Sequence, residues 1–419
     1  MTESTARESA FLDVLGESGW GLLLDAGLAV DALDPSARGA ALAAAERLRK
    51  AHPSVPPERR AAALELVFEG ARLATKLGVS GERLIAVRGA VEQATAGRVA
   101  TWHAQRLPGA PGEARVVEIG CGVGGDSIAL AHRARNLISC DLNPVRAACA
   151  HTNLAAFGLA SASAVPADGF DVLAGEGKDA DVVFCDPDRR PDGTRTLDPH
   201  AWSPSLDRLF DEVGGGRALL VKAASSLDPE PYLDRFAVSY VSHGGECVEA
   251  FLESRAPVAF TAAVDDPVSA VLLPADGPSV ELRGDRGQAP EGDLGDALYT
   301  IDPAAIRGRL LAELATRHSL SLLDLQIALF SGARGVNSPW LKEHAVHTAC
   351  GIQDVPAELR RLEASHVRVH CRGVAATATE LDRVWRSAVA PKGGGPAIDV
   401  FVTRLRDRPG AVLASRRAT

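Results

Sequence analysis

The stretch 116-VVEIGCGVGGDSIALA-131 decides the fold. Val116 to Ile119 is a short apolar run broken only by Glu118, and such a run reads as a buried strand. Gly120, Gly122 and Gly124 follow, and from Asp126 the apolar residues recur at helical spacing. The glycines let the chain turn tightly and let a ligand approach bare backbone. The unit is therefore strand, glycine turn, helix. On its own a Gly-x-Gly-x-Gly run is weak evidence; its surroundings sharpen it.

Outward from this unit the pattern alternates. RVVEIG, NLISCD, SASAVPAD, DVVFCD and RALLVKA read as strands separated by helical or loop stretches. Such alternation implies α/β architecture, a doubly wound parallel sheet with helices on both faces. FAVSYVSH and CVEAFLES continue the strand-like run and PVAFTAAV follows them. Residues 1–107 read as a helical N-terminal region: ARGAALAAAERLRKA and PERRAAALELVFEGARLATKL carry apolar residues at helical spacing, and Pro57 suits a helix start. A further helix is expected from about Thr95 to Leu107. The sheet domain spans 108–275, residues 276–300 form a hairpin or linker, and 301–419 form a smaller α/β domain. In that last region PAAIRGRLLAELATRH, LLDLQIALF, PAELRRLEA and TELDRVWRSA read as helices, and HVRVHCR, AIDVFVTRL and AVLASR as strands. There is no internal repeat.

Composition narrows the class. The chain of 419 residues, 46% hydrophobic and 24% charged, has the make-up of an ordinary globular protein. No apolar run reaches the roughly 18 residues of a membrane span. The polar start MTESTARESAFLD has no secretory pattern, and the seven cysteines sit mostly in apolar segments, so a cytoplasmic setting with reduced thiols is expected. The net charge of -9 hides an asymmetry: residues 301–419 carry 17 Lys+Arg against 11 Asp+Glu. A basic tail on an acidic body suits a polyanion such as RNA, and scattered surface arginine is the plain reading of the same numbers.

Acidic residues mark four successive strand ends: Glu118, Asp141, Asp168 and Asp186. A nicotinamide cofactor needs the helix N-terminus free for its pyrophosphate, and an acid just before the loop would repel it. S-adenosylmethionine has no phosphate. Its amino-acid head and sulfonium can face Glu118, its ribose diol can donate to Asp141, and its adenine amine to Asp168. Helix capping is the structural alternative for any one of these acids.

With these residues in place, 90–265 resembles the class I S-adenosylmethionine-dependent methyltransferases. EQAT (92–95), EIGCGVGGDS (118–127), DPDRR (186–190), LVKAASSLD (220–228), SHGGECVEA (242–250) and LYTIDPAAIRGRL (298–310) are also similar to a bacterial methyltransferase family with a C-terminal THUMP-like domain. The core is similar to the trimethylguanosine synthases. The resemblance implies a Rossmann-like sheet, S-adenosylmethionine as cofactor and RNA as partner. Gln93, Thr95, Glu118, Gly120, Gly122, Gly124, Asp141 and Asp168 are the implied cofactor residues.

The same resemblance places the chemistry in DVVFCDPDRR (181–190), where Asp186, Pro187, Asp188 and Arg189 are the implied catalytic set. Amine methyltransferases hold their target beside an acid or Asn, two prolines and an aromatic. Here Asp188 and Arg189 stand where the second proline and the aromatic belong, and the flat guanidinium of Arg189 could stack in its place or hold a phosphate. Thr95 also reads as a helix cap. Lys222 reads either as a phosphate contact or as a snorkelling surface lysine. Glu246 and Glu249 could line the substrate side. His344, His347 and Cys350 in HAVHTAC fall at helical spacing, but with His366, His370 and Cys371 they match no standard zinc pattern, so no metal is expected. Two rivals stay open: a methyltransferase acting on a protein or small molecule, and an inactive RNA-binding module that keeps the fold.

Overall fold

The computed structural model describes residues 3–31, 39–190, 194, 196–213, 216–255, 266–375, 377–389, 395–405 and 408–416. The stretch PVAFTAAV lies outside them. The chain divides into two compact units, Met1–Ala237 with Phe251–Ala263, and Val238–Ala250 with Val264–Thr419.

Unit 1 opens with α1 (Glu3–Leu15), α2 (Trp20–Asp31), α3 (Ala40–Ala51), α4 (Pro57–Leu77), α5 (Ala90–Gln93) and α6 (Gly97–Gln105). Pro57 starts α4 and Gly78, in the left-handed region at φ 68°, ends it. The sheet then alternates with helices: β1 (Arg115–Ile119), α7 (Gly125–Arg133), β2 (Asn136–Asp141), α8 (Pro144–Ala156), β3 (Ala162–Pro166), α9 (Gly169–Ala174), β4 (Val182–Cys185), α10 (Leu206–Val213) and β5 (Ala218–Ala223). β6 (Phe236–His243) and β7 (Glu246–Ser254) each run from one unit into the other. The strand order is β3-β2-β1-β4-β5-β7-β6, with β1 to β5 parallel. The expected doubly wound Rossmann-like sheet is therefore present. β4 and β5 are buried along their whole length, which is why they read as continuous apolar runs.

The N-terminal helices share a core with the sheet half of the unit. Leu22, Leu48, Leu66 and Leu73 pack in one cluster with Val123 of the glycine loop and Cys149 of α8. Asn153 is fully buried and staples the two parts: its Oδ1 accepts from Ile85 N at 2.9 Å, and its Nδ2 donates to Ile85 O and Val123 O, each at 2.9 Å.

Unit 2 contains the remainder of β6 and β7, then β8 (Val268–Leu273), β9 (Val280–Leu282), β10 (Ala297–Ile301), α11 (Pro303–Arg307), α12 (Leu311–His318), β11 (Ser321–Asp324), β12 (Ile327–Gly332), β13 (Leu341–Cys350), α13 (Val355–Arg361), β14 (His366–Cys371), α14 (Ala378–Trp385), β15 (Ala397–Leu405) and β16 (Arg408–Arg416). Its own sheet has the order β11-β12-β10-β13-β16-β15-β14.

One expected helix, LLDLQIALF, and one stretch with helical spacing, HAVHTAC, are strands here. LLDLQIALF folds as the β11–β12 hairpin, because Asp324 Oδ1 accepts from Gln326 N at 2.8 Å and turns the chain. HAVHTAC lies in β13, which pairs with β10 on one side and β16 on the other. Ladder hydrogen bonds on both edges outweigh the helical spacing of its polar residues.

Candidate functional site

Gly120, Gly122 and Gly124 all adopt positive φ, at 82°, 55° and 90°. At Gly120 the need is double, since a Cβ there would lie 2.4 Å from the backbone oxygen of Asp186. The glycine loop and the end of β4 thus touch through bare backbone. A Cβ on Gly122 would meet nothing within 4 Å, so the loop is open at its middle.

The acids at the strand ends divide by environment. Glu118 is 2% exposed, and its Oε2 accepts from Ser127 Oγ and Ser139 Oγ, both at 2.5 Å. Burial, with the charge of Asp126 nearby, pushes its carboxyl up to about 7. Asp141 is partly exposed, and it accepts from Gly122 N at 2.9 Å and Asn143 N at 2.8 Å. It fixes the glycine loop while keeping lone pairs for another donor. Asp168 caps α9 by accepting from Phe170 N at 2.8 Å, the capping role weighed above. Gln93 is exposed at the end of α5. Leu142, next to Asp141, is 71% exposed.

Asp186 follows β4. Its Oδ2 accepts from Lys222 Nζ at 2.6 Å, and its side chain is 29% exposed. Pro187 is buried. Asp188 exchanges backbone hydrogen bonds with Ser203, at 2.8 and 2.9 Å, and its Oδ1 accepts from Arg190 N at 2.8 Å. Arg189 is partly buried, and its carbonyl accepts from Thr196 N at 2.8 Å. The residues after Pro187 are thus built into a loop with its own backbone pairing.

Two readings need correction. Lys222 is no surface lysine: its side chain is 8% exposed, and Nζ donates to Thr95 Oγ1 at 2.6 Å, Asp126 Oδ2 at 3.0 Å and Asp186 Oδ2 at 2.6 Å. Thr95 caps no helix. Ala96 precedes α6 without a side-chain bond, and Thr95 Oγ1 instead donates to Asp126 Oδ2 at 2.6 Å. Asp126 also meets His103 Nδ1 at 2.7 Å. Burial would raise the Asp126 carboxyl, but Lys222 and His103 outweigh it and hold the group well below the usual range. Sequence reading missed Asp126 and His103. The signal available was weak: an Asp two residues into the helix after a glycine loop, and one histidine in an amphipathic helix.

In unit 2, His344 Nδ1 and His370 Nε2 lie 3.2 and 2.9 Å from the Asp399 carboxylate, with Arg368 at 3.4 Å. His347 faces Ser415 Oγ at 2.9 Å. Glu246 and Glu249 sit in β7, Glu246 exposed and Glu249 buried.

With this geometry in view, residues 113–193 match the family model described as RNA cap guanine-N2 methyltransferase. The glycine loop and the Asp186 loop both fall inside that match. The chain is similar to S-adenosylmethionine-dependent methyltransferases. Uncharacterized proteins of that description from two strains of Mycobacterium tuberculosis are each 34% identical over 256 residues, covering 58% of this chain and 65% of theirs. The chain therefore matches just under two thirds of these curated relatives. A crystal structure of a candidate methyltransferase from Porphyromonas gingivalis W83 superposes with a TM-score of 0.73 at 19% identity, over 96% of this chain and 99% of the other. That likeness shows a shared fold over nearly the whole chain.

Proposed function

We propose that this chain is a class I S-adenosylmethionine-dependent methyltransferase that modifies an exocyclic amine of an RNA base. The observation that carries the reading is Asp186. It is a carboxylate at the end of β4, against the glycine loop through Gly120, with one oxygen engaged by Lys222 and the other, engaged by none of the described residues, placed to accept an N–H. The residues present fit the cofactor. The loop is open at Gly122, Asp141 retains lone pairs for the ribose hydroxyls and Leu142 offers an apolar face for the adenine, and a donor without phosphate brings nothing for Glu118 to repel. When bound, S-adenosylmethionine supplies a methyl carbon that takes the amine lone pair as its bond to sulfur breaks, the sulfur keeping that pair and the nitrogen losing one proton to water.

The protein's work is then position and electrostatics. Asp186 orients the amine N–H so that the lone pair faces the methyl, and its charge favours the cation that develops on nitrogen. Gly120, Gly122, Gly124 and Asp141 hold the cofactor above the buried Glu118, whose charge acts on it from beneath, with Asp168 at the adenine end and Gln93 and Thr95 at the rim. Pro187, Asp188 and Arg189 shape the acceptor side. Support for an RNA amine comes from the description of the matching family and from the basic balance of residues 301–419. On this reading 1–107 is a helical region, 108–275 the catalytic domain, 276–300 a linker and 301–419 a THUMP-like domain that positions RNA. No helix among the described residues is long and apolar enough to cross a membrane.

The test is transfer of labelled methyl from S-adenosylmethionine into total RNA and total protein, with the parent chain and Asp186→Asn. Label in RNA, absent in the variant while calorimetry still detects S-adenosylhomocysteine, is the expected result. Label in protein alone would overturn the RNA assignment. A chain that binds neither cofactor nor product is no methyltransferase.

A further inference from the structure

Lys222 sits where the sequence makes no room for a charge. All six residues of β5 are buried, and the lysine is the only ionisable one among them. A buried ammonium is costly unless its hydrogens are met. Here three N–H bonds meet three oxygens, those of Thr95, Asp126 and Asp186, all within 3.0 Å. A second layer fixes the first. Asp126 receives Thr95 on one oxygen and His103 on the other, and His103 is fully buried and stacked on Phe251 at 4.7 Å and 15°. The chain of contacts runs from a buried ring pair through Asp126 and Lys222 to Asp186. Its last carboxylate is its most exposed one, at 29% against 7% for Asp126.

We propose that Lys222 is a positioning residue, which holds Oδ2 of Asp186 so that Oδ1 alone receives the acceptor amine, and which links that loop to the loop carrying Thr95. The proposal rests on the methyltransferase reading above. A stability role alone explains it poorly, because a well-packed apolar side chain in a buried strand is usually at least as stabilising as an ion cluster. The arrangement has two consequences. An acceptor with one oxygen orients a single N–H, which fixes the direction of the lone pair. The Thr95 segment lies against the glycine loop, since a Cβ on Gly125 would be 3.3 Å from Thr95 N. Order at the cofactor side is therefore transmitted to Asp186 through one ammonium group.

The test compares Lys222→Met and Lys222→Arg with the parent. Lys222→Met is expected to bind S-adenosylhomocysteine within about threefold of the parent by calorimetry, while kcat falls about 100-fold, the scale of an angstrom-sized misplacement. Lys222→Arg should recover at least about tenfold of that loss, since it keeps the charge and can donate to two oxygens. A crystal structure of Lys222→Met reads the placement directly: Asp186 should leave its parental rotamer. An unmoved Asp186 carboxylate, or a parental kcat, overturns the proposal. Should the Met variant fail to fold, the same readings on Lys222→Arg decide, with a shifted Asp186 and a kcat between parent and background expected, and an unshifted Asp186 overturning it. If the parent binds the product yet methylates nothing, the enzymatic reading fails while the crystal structure still judges the placement.

Discussion

In unit 1 the buried carboxylate of Asp126 is met by His103, Thr95 and Lys222; in unit 2 that of Asp399 is met by His344, His370 and Arg368. Both carboxyls are held well below the usual range, although burial by itself would raise them. The surroundings differ. Asp126 hands its partner Lys222 on to a second, more exposed carboxylate beside a glycine loop. The Asp399 cluster reaches solvent through its basic members instead, Arg368 at 58% and His370 at 29% exposed, with His370 stacked on Phe401 at 4.7 Å and 13°. A buried charge cluster is thus no sign of a site by itself. What distinguishes the first is that its outlet is a carboxylate beside a glycine loop.

Cutting each cluster at its centre separates outlet from ballast. Asp126→Asn should destabilise unit 1 by about 3 kcal/mol in denaturant unfolding, because Lys222 loses its more deeply buried counter-charge. It should also slow methyl transfer by about 100-fold through the drift of Asp186. Asp399→Asn should cost about 2 kcal/mol, the loss of charge-assisted hydrogen bonds, and leave transfer unchanged. Equal loss of transfer in both variants would erase the contrast. The acid limb treats the two clusters alike. Both folded carboxyls titrate below their unfolded values, so the stability they contribute is present above about pH 4 and is lost as pH falls below it.

The cofactor side is the next largest effect. Asp141→Ala removes the acceptor at the end of β2 and loosens Gly122, whose amide it holds. Binding of S-adenosylhomocysteine should weaken by about 30-fold, or about 2 kcal/mol, with melting little changed because the group is at the surface. Glu118 gives a smaller and pH-dependent signal. Its folded carboxyl is raised to about 7 by burial and by Asp126, above its unfolded value. Its contribution to stability is therefore fullest below the unfolded value and is lost as pH rises through about 7. A bound cationic amino-acid head reverses that preference. Affinity measured by calorimetry should rise with pH up to about 7, by at most about tenfold per unit, and level off above it. A flat profile would place Glu118 away from the cofactor's charge.

The sheet was legible because its rules are local. A strand buried on both faces is a continuous apolar run, and a glycine turn followed by a helical period has few other meanings. The acids at strand ends could be listed in order for the same reason. Lys222 could not be placed, because its burial depends on three oxygens that lie 36, 96 and 127 residues away in sequence. Thr95 misled for the converse reason: a local rule, capping, lost to a distant partner. The strand at HAVHTAC was hidden because its pairing partners, β10 and β16, stand on either side of it in the sheet but far off along the chain.

Leu142 gives the smallest effect and tests the outlet from another direction. It is 71% exposed, although it follows directly on Asp141. A large apolar side chain left in water costs the fold nothing to lose, so Leu142→Ala should leave unfolding unchanged. If it forms one wall for an adenine, covering it removes apolar surface from water on both partners. Truncation should then weaken S-adenosylhomocysteine binding about fivefold, or about 1 kcal/mol, while leaving the binding of a truncated donor lacking the base unaffected. Loss in both would mean that Leu142 shapes the Asp141 turn, and the adenine would then have to lie against another part of the loop.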